Sequence, residues 1–525
     1  MENYANIPKE KFSFAQQGDI SHDKKLQTKP RSYMRDAFSR FCKNKASVVA
    51  AIIVLILVLF ALIGPFCINS NYTEAYKKDN DVKRYQFLSP RLSIFDGTGF
   101  WDGSKLNSGV NETTFYRYLG IEEEQGNDAV VSYKQRQEDG KTVYDVRVNT
   151  YYTIDVFQST LTVKEYKALL DWQDENEVQV ILPYVRYEAE YAAVAGRNLN
   201  IWYVCNQNGK PTLDKNGDFI PAYYTYDSAQ GRRDDYTSKM RLEKDPYDAN
   251  LAKDDANNHG WSYAQRTGTA EAGYNYVVRV NAYNYFQYKY GFKPSFAFGT
   301  DTHGYDIFTR LASGARFSLL FALAVSVINL IIGAIYGAIE GYYGGAIDLT
   351  MERISDVLSA LPTMVITILF NLHLSGTIGT IPALLYAFIV TGWIGIASTT
   401  RMQFYRFKNQ EYVLAARTLG ARDRRIIWRH IFPNSLGTLV TSSVLIIPGV
   451  IFSETSLTYL GIINLDSPTQ ASVGAMLSSG QSYLTQFPHL ILFPALFLAL
   501  LEISFNLFGN GLRDAFNPTL RGSEG

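Results

Sequence analysis

The sequence predicts an α-helical membrane protein with six transmembrane helices and a large extracellular insert, α+β or mainly β, between the first and the second. Three observations predict it. Apolar blocks of membrane length recur along the chain; about 230 residues without any such block separate the first from the rest; and Lys and Arg gather at one end of the blocks. The mean hydropathy of −0.10 hides this, because the apolar residues are concentrated. The 525 residues carry 50 basic and 50 acidic side chains, and a zero net charge argues against nucleic-acid binding through bulk electrostatics. With 14% aromatic and 19% charged residues the chain is not mostly disordered. Cys42, Cys67 and Cys205 include no Cys-x-x-Cys pair, so neither a zinc ribbon nor a disulfide scaffold is expected.

A charged leader occupies residues 1–45, and the first span follows at 46–68. Its apolar block runs from Ala46 to Phe66 without a charge. About 20 such residues at ~1.5 Å each cross the hydrocarbon core. A cleaved signal peptide fits poorly, since a long charged leader precedes the block and no small-x-small cleavage site follows it. Five more blocks run approximately over Arg316–Glu340, Ile354–Leu374, Ile378–Ser398, Leu436–Ile463 and Leu490–Phe508. Pro362, Pro382, Pro448 and Pro494 lie in them, and membrane helices tolerate proline where neighbours satisfy the freed carbonyls. Gly333, Gly337 and Gly341 give the second span small-xxx-small spacing, which permits close helix contact.

Orientation follows from the basic residues. One cluster lies in the leader, from Lys24 to Lys45, and another between the fourth and fifth spans, from Arg401 to Arg429. Four spans separate them, so both fall on one side, which is expected to be cytoplasmic. An even span count puts the tail, 516–525, on that side too. Arg310 and Arg316, at the outer end of the second span, are the exceptions.

The insert, 69–298, is rich in tyrosine. Strand-like stretches run over Lys141–Phe157, Glu177–Leu182 and Tyr276–Val280, and Val163–Trp172 reads as a helix. Asn208-Gly209 and Asn216-Gly217 mark hairpin turns, with strands around Ile201–Val204 and Phe219–Ile220. Asp214–Asp218 lacks the spacing and closing glutamate of a calcium loop and reads as a plain turn. No metal site is expected.

The loop 401–434 contains EYVLAARTLGARDRRIIWRHIFPN from Glu411 to Asn434. With Glu411, Ala415, Ala416, Gly420 and Pro433 at their spacing, it resembles the EAA loop of ABC importer permeases. In that family the loop forms short helices that fit a groove on the ATPase subunit. The small residues allow close backbone approach, and the arginines keep the surface polar. Leu414, His430 and Phe432 depart from the general pattern, standing where it has glutamate, isoleucine and leucine. Three further stretches resemble the C-subunit of oligopeptide, dipeptide and nickel permeases. They are Phe298–Asp306 with Arg310, Gly314 and Arg316; Glu454–Gly461 with Pro468 and Gly474; and Asn506–Asp514 with Pro518. The resemblance covers about residues 32–66 and 294–520 and leaves the insert unexplained.

It implies a permease core over 299–515 and a function as the membrane subunit of an ATP-driven importer of oligopeptides or dipeptides in a bacterial plasma membrane. It implies as partners a second permease, two cytoplasmic ATPases, an extracellular solute-binding protein and membrane lipid. The chain would be no enzyme and bind no cofactor, with ATP and Mg²⁺ used by the partner subunits. Consistently, it has no Gly-x-x-x-x-Gly-Lys-Ser/Thr loop. Glu454, Glu502 and Asn506 are candidate pathway or structural residues, since polar groups in apolar spans face a cavity or a partner; Asn329, Asn371 and His373 are weaker ones. Two rival readings are a receptor with the insert as sensor and a membrane enzyme with its site in the insert, whose one histidine is His259. For the insert itself, docking of the binding protein and a spacer role stand side by side.

Overall fold

A computed structural model describes residues 33–66, 80–154, 156–182, 213, 215–217, 264–269, 272–466 and 471–516. The predicted strands at 201–204 and 219–220, the turn at 208–209, His259 and the tail from Asn517 lie outside the described residues. Lys215–Gly217 is a turn, with Gly217 at φ +90°.

Helix α1 (Tyr33–Lys43) leads into α2 (Lys45–Ile63), whose first turn is capped by Asn44 accepting from the Ser47 amide. The remaining membrane-length helices are α6 (Ile307–Tyr343), α9 and α10 (Thr380–Gly392 and Ile394–Phe407, together one span), α12 (Phe432–Tyr459) and, after the short α13 (Val473–Gln481), α14 (His489–Phe516). Among the described residues, five helices are long and apolar enough to cross a membrane. The expected third span is not one straight helix: α7 (Gly345–Ser359) and α8 (Thr363–Ile378) meet at a 74° bend, and counting the pair as one span gives six. The break falls at Leu361-Pro362, as expected where proline removes a donor and pushes its predecessor out of the α region. α7 begins beside the end of α10, where Arg401 binds Asp348, and α8 reaches Ile462 at the far end of α12 through Asn371 Nδ2, 3.3 Å from its carbonyl.

The glycine spacing in α6 is a packing seam. A Cβ at Gly333 would stand 2.7 Å from the Trp393 carbonyl, one at Gly341 would stand 2.6 Å from the Phe404 Cβ, and Gly337 lies closer still to the Ala397 carbonyl. Only hydrogen side chains let α10 approach α6 so closely.

The insert is α+β in its described part. One sheet has the order β1 (Ser104–Asn111), β3 (Lys141–Asn149), β2 (Val130–Glu138), all antiparallel. The second is built on β7 (Gly273–Val280), with β4 (Phe157–Thr162) on one edge and β5 (Ile181–Leu182) and β6 (Ala264–Thr269) also paired to it. Period-2 alternation explains the strands: Tyr144, Val146 and Val148 are buried in β3, and Tyr276, Val278 and Val280 in β7. The stretch 141–157, read as one, turns at 150–154 and serves both sheets. Helices α3 (Glu112–Gln125), α4 (Val163–Asn176) and α5 (Ala282–Tyr290) complete the unit. α4 confirms the helix expected at 163–172 and starts with a capping box between Thr162 and Glu165.

The boundary at 298 is not a clean seam. Thr300 Oγ1 accepts from the Leu88 amide at 2.9 Å, and Phe87 stacks on Phe487 at 4.5 Å between centroids. Residues 80–103 of the insert are thus wedged against the helical core.

Candidate functional site

The loop from α10 to α12 forms an exposed platform with a buried root. After α10 comes the short helix α11 (Glu411–Thr418), then a turn, one helical turn at Asp423–Arg425 and a π-helical segment, Ile426–Ile431, running into α12. Gly420 has φ +81°, and α11 closes with Gly420 N–H donating to the Arg417 carbonyl at 3.0 Å and Ala421 N–H to the Ala416 carbonyl at 3.1 Å. That is the left-handed helix end glycine adopts without strain. Pro433 follows at the start of α12, where no amide donor is needed.

The root is apolar. Val413, Ile426 and Ile431 are fully buried and cluster with Ala338 and Tyr342 of α6 and Phe404 of α10. Tyr342 Oη donates to Asp423 Oδ1 at 2.5 Å, and Asn434 Nδ2 donates to the Tyr412 hydroxyl at 3.2 Å. Partial burial pushes the Tyr412 phenol up from its ordinary value, against the opposing Asn434 bond. The outer face carries Glu411, Tyr412, Ala415 and Gly420, all exposed, with Ala416 half-buried. Leu419, 88% exposed, stands among them. The sequence reading missed it; its signal was the i, i+3, i+7 recurrence of Tyr412, Ala415 and Leu419.

Behind the platform Arg401 bridges α10 to α7. Its Nε and Nη2 donate to Asp348 Oδ1 and Oδ2 at 2.6 and 2.9 Å, and its Nη1 and Nη2 to Glu352 Oε1 and Oε2 at 2.9 and 3.1 Å. Tyr405 Oη adds a bond to Asp348 at 2.5 Å, and Lys408 Nζ donates to the Gly341 carbonyl at 3.0 Å. Arg401 appeared in the sequence only as a topology marker.

The three candidate polar residues do not form one site. Glu454 of α12 is fully buried and accepts from Ser318 Oγ of α6 at 2.9 Å, with Thr455, Thr458 and Ser472 beside it. Glu502 is half-buried on α14. Asn506 is exposed and donates back to the Glu502 carbonyl at 2.9 Å, an intrahelical bond. Of the weaker candidates, Asn329 is buried while His373 is exposed. Of the exceptional arginines, Arg310 is paired with Asp301 at 3.3 Å and with Asp466, while Arg316 lies over the Phe66 ring. Among the described residues no group of three His, Cys, Asp or Glu side chains could hold a metal.

Residues 329–522 match the family of binding-protein-dependent transport system inner membrane components, and residues 32–90 match the N-terminal transmembrane domain of oligopeptide transport permease C. The chain is 43% identical over 224 residues to the oligopeptide transport system permease protein OppC of Bacillus subtilis, covering 43% of this chain and 72% of that one. The chain belongs to this permease family. The dipeptide permease DppC of Bacillus subtilis is 41% identical over 225 residues, 43% of this permease and 69% of that one. Among solved structures, a chain of the inward-facing MetNI methionine ABC transporter superposes with a TM-score of 0.33 at 15% identity, over 40% of this permease and 96% of that chain. The two Bacillus subtilis relatives are transport system permease proteins. Neither family model reaches residues 91–328, so most of the insert is an addition that the family pattern does not contain.

Proposed function

We propose that this permease imports oligopeptides or dipeptides, forming half of the translocation pathway and taking its drive from ATP hydrolysed by partner subunits. The observation that carries the reading is the 41–43% identity to the oligopeptide and dipeptide permeases over about 70% of their length. The platform at 411–434 supports the coupling role: small and apolar groups face out, and a packed root ties them to α6 and α10. A stiff root is what transmits a push, because a close-packed cluster moves as a unit.

The proposal extends to topology and partners. The chain crosses the membrane six times, with α7 and α8 forming the bent third span; its termini and the platform are cytoplasmic, and the insert is outside. The two basic clusters support this sidedness. A second permease completes the pathway, two ATPases holding ATP and Mg²⁺ take Glu411, Ala415, Ala416, Gly420 and Pro433 against them, and an extracellular solute-binding protein delivers the peptide. Glu454 is a structural tie between α6 and α12. Glu502 and Asn506 face a partner helix or the pathway.

Uptake of labelled di- to pentapeptides by cells with and without this chain tests the reading. Peptide uptake that depends on the chain, with a Walker-motif ATPase copurifying, is the expected result. Chain-independent peptide uptake would overturn the substrate, and absence of any ATPase would overturn the coupling.

A further inference from the structure

The segment Leu92–Trp101, outside both family matches, reads LSIFDGTGFW, half of it apolar or aromatic. It is locked by its own bonds. Leu92 N–H donates to the Trp101 carbonyl at 2.8 Å, closing the neck. Arg91 grips the one charged residue of the segment, Asp96, through Nε–Oδ1 at 3.1 Å and Nη2–Oδ2 at 2.9 Å. Asp102 accepts from the Gly99 amide at 2.7 Å. Yet this ordered loop leaves Ile94 84% and Phe100 63% exposed. Keeping two large apolar side chains in water forgoes the stabilisation their burial would bring.

Its position says what covers them. The Trp101 ring lies 5.9 Å from Phe493 of α14, which stacks on Phe298 at 4.1 Å. Phe298 continues to Phe308 at the start of α6 and Phe60 near the end of α2, at 5.3 and 5.1 Å. This aromatic chain marks one end of three spans. α14 has 28 residues, about 42 Å at ~1.5 Å each, which exceeds a hydrocarbon core of about 30 Å by about 6 Å at each end. Phe493, the fifth residue of α14, therefore sits at the hydrocarbon boundary, the level where aromatic side chains gather. The flank beside it is apolar and exposed. Leu492 and Leu496 of α14 are 57% and 52% exposed. α2, packed along α14, belongs to the most apolar of the candidate spans, which is also the least buried. Trp101 itself is held at φ 54°, a left-handed conformation that is unfavourable for a non-glycine residue. It keeps its ring on Phe493 and its indole N–H on the Ala297 carbonyl.

We propose that Leu92–Trp101 is a membrane-interface anchor of the insert, laying Ile94 and Phe100 into the headgroup–acyl boundary of the bilayer beside α14 and α2. The partner is the lipid surface, recognised by apolar and aromatic side chains without a charged headgroup contact. The anchor fixes the height of the inserted domain over the spans, and it does not depend on which solute is transported.

Site-directed spin labelling tests it. The full chain, with Cys42, Cys67 and Cys205 replaced by serine, is reconstituted in bilayers of phosphatidylethanolamine and phosphatidylglycerol. Ile94→Cys, Phe100→Cys and, as the water-exposed reference on β2, Ser132→Cys are labelled in separate samples; all three positions are exposed and tolerate the label. Expected is a ratio of oxygen to nickel-chelate accessibility several-fold higher at 94 and 100 than at 132. A ratio at 94 and 100 equal to that at 132 would place the loop in water and overturn the anchor. Low accessibility to both reagents would mean that a protein surface covers the loop, and would overturn it equally.

Discussion

Arg401 holds Asp348 through two parallel hydrogen bonds, at 2.6 and 2.9 Å, although 52 residues and a broken helix separate them in the sequence. The pair joins the last turns of α10, from which the platform hangs, to the first turns of α7. On the proposed coupling role, this pair is the link by which movement of the platform reaches the bent helix pair.

The first prediction follows from that geometry. Arg401→Met should lower uptake at least tenfold, and Arg401→Lys should restore only part of it, because an ammonium cannot bind a carboxylate bidentately. The pair is partly exposed, so the stability cost should be modest, about 1 kcal/mol. Combining Arg401→Met with Asp348→Asn should cost less than the sum of the single changes in a double-mutant cycle of melting in detergent. Wild-type uptake by Arg401→Met would end the idea.

Gly420 separates strain from contact. Nothing lies within 4 Å of a Cβ built there, so any penalty of a small side chain is conformational. Gly420→Asn, which tolerates the left-handed region, should keep most of the uptake. Gly420→Ala should cost about 1 kcal/mol of local stability. Gly420→Leu should abolish uptake while the protein still inserts, since its bulk projects from the exposed face. Equal uptake by all three variants, with full ATPase association, would refute the coupling role.

Sidedness is open to chemical labelling. In intact cells, with the native cysteines replaced, an impermeant maleimide should modify Ser132→Cys on β2 and leave Arg424→Cys unmodified until the membrane is opened. The opposite pattern would reverse the orientation and remove the platform from the cytoplasm.

The first sheet offers a clean deletion. Gly103 and Thr150 adjoin, the Thr150 amide donating to the Gly103 carbonyl at 3.0 Å, so residues 104–149 leave and return at one point. Replacing them with two or three glycines should preserve insertion and basal ATPase activity of the assembled complex. If this sheet helps dock the solute-binding protein, the deletion should raise the peptide concentration for half-maximal uptake several-fold. Unchanged binding-protein affinity and uptake would assign the sheet a spacer role.

The spans were legible because their signal is local: an uncharged run such as Ala46–Phe66 has the length of a membrane whatever surrounds it. The turn at Gly420 was legible for the same reason, a glycine at a helix end being a property of its own backbone. The partners were not. Gly333, Gly337 and Gly341 announced a seam by their spacing, but only packing showed that Trp393, Ala397 and Phe404 fill it. Leu419 looked like any helical leucine until the burial of Val413 against Tyr342 and Phe404 turned it outward. The prolines make the limit plainest. Pro448 and Pro494 lie inside continuous helices, whereas Pro362 stands at a 74° bend. The residue is the same, and whether a helix survives it depends on which neighbours reach the carbonyls it leaves free. That choice belongs to contacts between segments far apart in the chain, so the sequence determined where helices run and the tertiary structure decided which of them break.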